Sequence, residues 1–194
     1  MKTINSQIIA IPRKNIDTDL IIPADYLKGT VKTGLGKHLF ERVRNDEDFS
    51  NFLKFSDSNI LVTYDNFGCG SSREHAAWAL KDFGIQIVIS SSFADIFMSN
   101  AMKNGIIPIV LPKDIIEVIF FNAGKHEYKI KVDLPEEIIE LPDGLKHSFP
   151  IDPYRKMCLM KGMDDMDYLL SEKVAISDFN RKHVSNLFFN TKGL

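Results

Sequence analysis

The stretch that decides the fold reads NILVTYDNFGCGSSREHAAWALKDFGIQIVIS and covers residues 59–90. Its two ends, 59–64 and 85–90, are rich in Ile and Val and are typical of buried strands. Residues 71–83 between them have the apolar spacing of a helix that ends at Gly84. Because strands joined through a helix usually lie parallel, this stretch predicts an α/β fold.

The same pattern repeats directly downstream. Residues 93–103 are expected to form a second helix, which Gly105 follows, and residues 106–111 a further strand. A third helix is expected at 114–122. The alternating segment EYKIKVDL and a hairpin through IIELPDGLKHSF then indicate antiparallel strands after the parallel core.

The two ends of the chain carry weaker signals. Residues 6–27 suggest a strand, a loop around 15–19 and a second extended piece, and residues 29–52 suggest a helix carrying Leu35, Leu39, Phe40 and Val43. Near the other end, Asp152 and Pro153 are expected to cap a short helix, and a charged helical stretch follows at 163–184. We therefore expect one domain over residues 1–194 with a C-terminal helical extension.

Composition excludes several classes of function. At 194 residues with a formal net charge of -2, the chain has the length of one domain and lacks the basic stripe of a nucleic-acid-binding protein. No apolar run is long enough for a membrane span, and the first residues do not resemble a signal peptide. We expect a cytoplasmic protein that contacts neither nucleic acid nor membrane.

The chain has few residues that bind metals in clusters. Its two cysteines, Cys69 and Cys158, form no CxxC pair and are too few to hold an iron-sulfur cluster, and its five histidines lack metal-ligand spacing. We therefore expect this chain to bind no metal of its own. Any cluster that it uses must come from another protein.

Chemistry is concentrated in the segment DNFGCGSSREHA, residues 65–76. Gly68 and Gly70 allow a sharp turn, and a helix starting at Ser71 or Ser72 would aim its N–H groups and positive dipole end at a ligand. Arg73 is unfavourable for the helix dipole in that first turn, which suggests a carboxylate or phosphate partner bound by its guanidinium. This segment predicts a site for an anionic ligand.

Plainer interpretations of the same residues stay open. Ser71 and Glu74 match a capping box, which occurs at many helix starts. A phosphate-binding loop has less support, because no Gly-Lys-Ser/Thr sequence follows the glycines. For Cys69, a small packed residue is favoured over a nucleophile, since no partner histidine or asparagine is evident at a meaningful spacing.

Three segments together resemble a known family. NFGCGSSREHAAWAL with the following FGIQIVISSSFADIFMSNAMKNGIIPIVL, NIDTDLIIPADYLK upstream and FPIDPYRKMCLMKGMDDMDYLL near the end are similar to the swivel domain of the aconitase superfamily. Their order resembles that of stand-alone small subunits of 3-isopropylmalate dehydratases, over about residues 8–178. The resemblance implies a swivel-type β/β/α domain with a mostly parallel core sheet.

The resemblance also implies roles for the glycine-rich segment. Ser71 takes the place of the catalytic base, an alkoxide that removes a proton from the carbon beside a carboxylate. Such a serine needs stabilised negative charge on its oxygen. Gly70, Ser72 and Arg73 would supply this environment, and Ser72 and Arg73 are implied ligands of a substrate carboxylate.

Further roles follow from the upstream motif IDTD and the segment after it. Asp17 and Asp19 alone are most simply read as turn and cap residues. The resemblance gives Asp19 a catalytic place, supporting a histidine of a large subunit, with Thr18 beside it at the substrate. In the segment 24–34, Tyr26, Leu27 and Lys28 are candidates for contact with the variable part of the substrate.

The implied activity is that of a hydro-lyase in leucine biosynthesis, which interconverts 2-isopropylmalate and 3-isopropylmalate by dehydration and rehydration. The implied cofactor is a four-iron four-sulfur cluster supplied by an iron-sulfur large subunit, the obligate partner. Alternatives are a small subunit of a related hydro-lyase acting on homoaconitate, citraconate or a dimethylmalate, or a non-catalytic module that binds phosphate or another anion.

Overall fold

The computed structural model describes residues 3–27, 31–125 and 128–188, with side chains up to residue 183. Its centre is a seven-stranded sheet with the order β4-β3-β2-β1-β5-β6-β7. The strands are β1 Thr3–Ile11, β2 Ile60–Thr63, β3 Ile87–Ser90, β4 Ile107–Val110, β5 Lys129–Asp133, β6 Ile138–Glu140 and β7 Lys146–Ser148.

The sheet has a parallel half and an antiparallel half. Strands β1 to β4 pair in parallel, whereas β5 pairs antiparallel with β1, and β6 and β7 form the hairpin at the edge. The nine-residue β1 belongs to both halves. The predicted α/β class, with a parallel core and a C-terminal hairpin, is confirmed.

Helices cover both faces of the sheet. They are α1 Thr18–Ile21, α2 Ser50–Lys54, α3 His75–Phe83, α4 Asp95–Lys103, α5 Lys113–Asn122, α6 Pro153–Lys161, α7 Asp165–Ser171 and α8 Lys173–Phe188, with short 3-10 helices at Ala24–Tyr26, Gly36–His38 and Glu47–Phe49. Within the described residues, none of these helices is long and apolar enough to cross a membrane.

Alternate residues of the central strands supply two separate cores. Ile9, Leu61 and Val88 pack in one core with α3 and a group of phenylalanines that includes Phe40 and Phe52. Their chain neighbours, such as Ile8, Val62 and Ile89, pack in the other core with residues of α5, β5 and α6. Strands of a parallel sheet that are covered on both faces need such continuous apolar sequence, which explains the Ile- and Val-rich segments.

Two local predictions upstream of the glycine-rich segment are wrong. The second extended piece is helical instead, because the Asp17 carboxylate accepts a hydrogen bond from the Leu20 amide at 2.7 Å and caps α1. The helix expected through Leu39 and Phe40 is replaced by turns. Phe40 has a φ of +56° and donates its amide to the Ile21 carbonyl at 2.9 Å, so a tertiary contact overrides the helical pattern.

The C-terminal predictions hold better. The Asp152 carboxylate caps α6 by accepting from the Arg155 amide at 3.0 Å, and Gly162 ends the helix with a φ of +67°. The charged stretch that follows is helical, divided at Glu172 into α7 and α8. Residues 171–183 are all exposed.

Candidate active site

The glycine-rich turn lies where three parallel strands end. The Gly68 amide donates to the Ile16 carbonyl after β1 at 2.7 Å, and the Phe67 amide donates to the Ser92 carbonyl after β3 at 3.1 Å. The Thr18 amide donates in turn to the Cys69 carbonyl at 2.9 Å. Loops at the carboxyl ends of parallel strands are where α/β proteins commonly place their ligand sites.

Gly68 and Gly70 have the conformations that the sequence predicted for them. Gly68 has a φ of +76°, and a Cβ there would stand 2.2 Å from the Phe97 Cγ atom. Gly70 has a φ of +91° and borders Asp17 and Thr18 with room to spare. Gly68 is thus required by both backbone conformation and space, and Gly70 by conformation.

Ser71 does not start a helix. Helix α3 begins at His75, and Glu74 occupies its N-cap position without a side-chain cap. Neither the expected helix start at Ser71 or Ser72 nor the capping box forms, because the Ser71 amide donates to the Thr18 hydroxyl at 3.2 Å instead. This removes the dipole argument for a phosphate at Ser71, since the dipole effect falls off within the first turn.

The turn is open to a second molecule. Gly70, Ser71 and Ser72 are exposed, whereas Thr18 beneath them is 1% exposed. No described residue forms a hydrogen bond with the Ser71 hydroxyl. The serine assigned by resemblance therefore sits on a surface that a substrate or another polypeptide can cover.

Arg73 and Asp19 form an ion pair across the turn. Their side chains are 30% and 48% exposed. The carboxylate partner that the sequence suggested for Arg73 is thus present within the chain. Because a guanidinium carries five N–H donors, its contact with Asp19 through Nη1 is compatible with a second carboxylate on the group.

Thr18 lies behind the turn. Its hydroxyl accepts the Ser71 amide, its own amide donates to Cys69, and almost none of its surface reaches solvent. In this position Thr18 can hold the backbone of Ser71 in place. A direct contact between Thr18 and a substrate stays a prediction.

Tyr26 is bound to a different group of residues. Its ring stacks on His38 with centroids 3.6 Å apart, and its hydroxyl donates to Glu41 at 3.1 Å. That hydrogen bond raises the pKa of Tyr26, while a hydrogen bond from His38 lowers the pKa of Glu41. Tyr26 and Leu27 also pack against the core that contains Phe40.

Tyr26 and Leu27, two of the three specificity candidates, are not joined to the turn. Among the described residues, no hydrogen bond or ring contact connects Tyr26 or Leu27 with residues 68–73. Lys28 lies outside the described residues. Their contact with a substrate stays a prediction.

The chain's cysteines do not fit an iron-sulfur cluster. Burial, followed by the charge of Asp17, raises the pKa of the half-buried Cys69 thiol, and Cys158 is buried in α6. A raised pKa keeps the thiol protonated near neutral pH, which makes it a poor ligand and a poor nucleophile. In the part of the chain that the structure describes, no three His, Cys, Asp or Glu residues are placed to hold a metal ion.

Several asparagines around the turn were not singled out from the sequence. Asn100 of α4 donates to the Ser72 carbonyl at 3.3 Å, and Asn104, the C-cap of α4, donates to the Glu74 carboxylate at 2.8 Å. Asn66 donates to the Asn15 side chain at 2.8 Å, and both have positive φ angles. The only available signal was that asparagine tolerates this left-handed conformation better than most residues.

Fold and site together define a class: an α/β domain that exposes a serine- and arginine-bearing turn at the carboxyl ends of its parallel strands. The family model for the aconitase C-terminal domain matches residues 6–114. A 3-isopropylmalate dehydratase small subunit from Cereibacter sphaeroides is 46% identical over 179 residues, covering 88% of this chain and 89% of that protein. One from Rhodospirillum rubrum is 48% identical, covering 88% and 86%.

A solved structure supports the same relationship. The crystal structure of 3-isopropylmalate dehydratase from Methanocaldococcus jannaschii has a TM-score of 0.70 and 30% identity, covering 91% of this chain and 98% of that one. The chain therefore belongs to the aconitase C-terminal domain family and, within it, to the 3-isopropylmalate dehydratase small subunits.

Proposed function

We propose that this chain is the small subunit of a 3-isopropylmalate dehydratase, a hydro-lyase of leucine biosynthesis. The substrate is a small dicarboxylate, interconverted between 2-isopropylmalate and 3-isopropylmalate through an alkene. The observation that carries the proposal is the exposed Ser71 beside the Arg73–Asp19 pair, in a chain that shares almost half its residues with named small subunits.

Ser71 is the proposed base. Its alkoxide would take the proton from the carbon beside a carboxylate during dehydration and return it during hydration. Since α3 begins at His75, the helix dipole is too far along the chain to stabilise this oxygen. We assign that task to the Arg73 guanidinium and to the backbone of Gly70 and Ser72, with help from groups on a partner.

Arg73 and Ser72 are the proposed ligands of a substrate carboxylate. A guanidinium can bind a carboxylate through two parallel hydrogen bonds, which fixes orientation as well as charge. Asp19 would hold Arg73 at one edge and support a histidine of the large subunit. Leu27 would face the isopropyl group, whereas a contact from Lys28 to a third carboxylate would favour a homoaconitate enzyme.

The proposed partner is an iron-sulfur large subunit. Two cysteines in separate parts of the fold cannot supply the thiolates of a four-iron four-sulfur cluster, so we assign the cluster to that subunit. The exposed turn offers the surface over which the two proteins would close the site. We expect the small subunit alone to be inactive.

The experiment is reconstitution with the large subunit of the same organism. The iron-loaded complex is assayed without oxygen on 2-isopropylmalate, homoaconitate, citraconate and a dimethylmalate, with alkene absorbance as the signal. We expect turnover of isopropylmalate by the complex and none by either subunit alone. A preference for another acid would move the chain to a related hydro-lyase, and turnover by the chain alone would contradict the shared site.

A further inference from the structure

Helix α4 presents one line of side chains to the glycine-rich turn. Phe97 and Asn100 are three residues apart on one face of α4, and Asn104, four residues after Asn100, is the C-cap of that helix. Phe97 packs against Gly68 and leaves no room for a Cβ at that position. The two asparagines contact the turn beyond Ser71.

The asparagines hold the backbone on both sides of Arg73. The Asn100 amide group donates to the Ser72 carbonyl at 3.3 Å, and the Asn104 amide group donates to the Glu74 carboxylate at 2.8 Å. Asn104 is itself held, because the same nitrogen donates to the Asn100 carbonyl at 2.9 Å. Ser72 and Glu74, the neighbours of Arg73 in the chain, are thus both hydrogen-bonded to α4 or to its C-cap residue.

The Glu74 side chain does not cap the helix that follows it. It stands at the N-cap of α3, yet forms no cap hydrogen bond there. Glu74 and Asn104 are both half-buried. Losing the hydrogen bond between them would leave the carboxylate without this partner and the end of the turn without its tie to α4.

We propose that Asn104 is a positioning residue that acts through Glu74 to fix Ser71 and Arg73 for proton transfer. This role rests on the proposed function. Asn104 contacts the turn through the Glu74 carboxylate, and this contact is what orients the turn in the proposal. Catalytic groups that shift by about 1 Å can lose on the order of 10²-fold in rate.

Four variants test the role in the complex with the large subunit. Asn104→Ala removes the donor, and Asn104→Asp places two carboxylates together. Adding Glu74→Gln to Asn104→Asp restores a hydrogen bond, in which the amide introduced at position 74 donates to the carboxylate introduced at position 104. Asn122→Ala is the matched control, because Asn122 ends α5 and donates to the Val118 carbonyl at 2.8 Å, as Asn104 does to Asn100.

Two measurements separate positioning from stability. The first is kcat per assembled, iron-loaded complex, together with the melting temperature. The second is hydrogen exchange in residues 68–74 of the chain without its partner. We expect kcat to fall roughly 10- to 100-fold in both Asn104 variants and to recover in the Glu74→Gln pair, with faster exchange in the turn for Asn104→Ala and no change for Asn122→Ala.

Each outcome has one meaning. Unchanged kcat in Asn104→Ala, or an equal loss in Asn122→Ala, would overturn the positioning role while the proposed function stands. An inactive wild-type complex would overturn the proposed function and the positioning role with it. Unchanged exchange in the turn would show that Asn104 does not hold it, whatever the activity.

Discussion

Arg73 and Asp19 are 54 residues apart in the chain and meet through one ion pair at the turn. A lysine at position 73 would keep the charge and lose the planar fork. The geometry of the proposed carboxylate site therefore depends on the guanidinium. Asp19 fixes one edge of that group, so the proposed substrate carboxylate meets a side chain that is already oriented.

We expect Arg73→Lys to raise KM for the dicarboxylate by roughly 10- to 100-fold. Hydrogen bonds to a charged group contribute about 1.5–3 kcal/mol, and about 1.4 kcal/mol corresponds to a factor of ten. Steady-state kinetics of the reconstituted complex measure the change. A KM equal to that of the wild type would argue that Arg73 does not bind the carboxylate.

Thr18 gives a second test at this scale. Thr18→Val keeps the shape of the buried side chain but removes the hydroxyl that accepts the Ser71 amide. We expect kcat to fall about fivefold, since one hydrogen bond is worth about 1 kcal/mol, whereas Thr18→Ser should retain most activity. Equal activity of the two variants would mean that this contact does not orient Ser71.

The decisive element is the segment that joins β2 to α3. It is held from below by the loops after β1 and β3 and from one side by α4. Gly68 is its tightest point, because its backbone is left-handed and Phe97 fills the space beside it. The exposed residues of the turn thus lie above closely packed residues.

Gly68→Ala should destabilise the chain by about 2–4 kcal/mol, through backbone strain and overlap with Phe97. Urea unfolding of the small subunit measures the free energy of unfolding. Gly124→Ala is the control, since nothing lies within 4 Å of a Cβ built there, and it should change stability by less than about 0.5 kcal/mol. Equal stability of the two variants would contradict the packing described at Gly68.

Local sequence patterns predicted the elements better than their ends. The two strand-helix-strand units of the parallel core are read directly from apolar spacing, and Gly84 marks the end of α3 as expected. The start of α3 was missed because it depends on the contact between Ser71 and Thr18, 53 residues apart. Spacing alone cannot reveal a contact of that range.

In the site, too, the local features could be predicted and the long-range contacts could not. Gly70, Ser71, Ser72 and Arg73 are contiguous and carry the resemblance, so the sequence identified them together. The pairing of Arg73 with Asp19 and the ties from Asn100 and Asn104 depend on which loops meet at the strand ends. Asparagine is too common near helix ends for its presence to predict a hydrogen bond to a distant turn.

On the scale of the whole molecule, the described residues form a packed body and a helical arm. Both cores lie around the sheet and helices α1 to α6. Helix α7 is joined to α6, because the Tyr154 hydroxyl donates to Asp165 at 2.9 Å and the Tyr154 and Tyr168 rings are in contact. Helix α8 forms the arm, with exposed apolar residues at Val174, Ile176 and Phe179. A helix without tertiary packing adds little stability of its own.

A chain ending at Ser171 should therefore keep its melting temperature within about 2 °C of the full chain. The contrasting truncation ends at Asp152 and removes α6, whose Cys158 and Leu159 are buried. That form should melt far lower or fail to fold. Thermal unfolding followed by circular dichroism makes the comparison, and a large loss on removing α8 alone would show that the arm packs on the body.

In our proposal, the exposed serine of the turn is the base of a site completed by a second protein. Ser71→Ala is measured in the iron-loaded complex against Ser171→Ala, an exposed serine on α7. We predict that Ser71→Ala assembles with the large subunit, melts like the wild type and shows no alkene formation, while Ser171→Ala keeps full activity. Alkene formation at the wild-type rate by the Ser71→Ala complex would show that Ser71 is not the base.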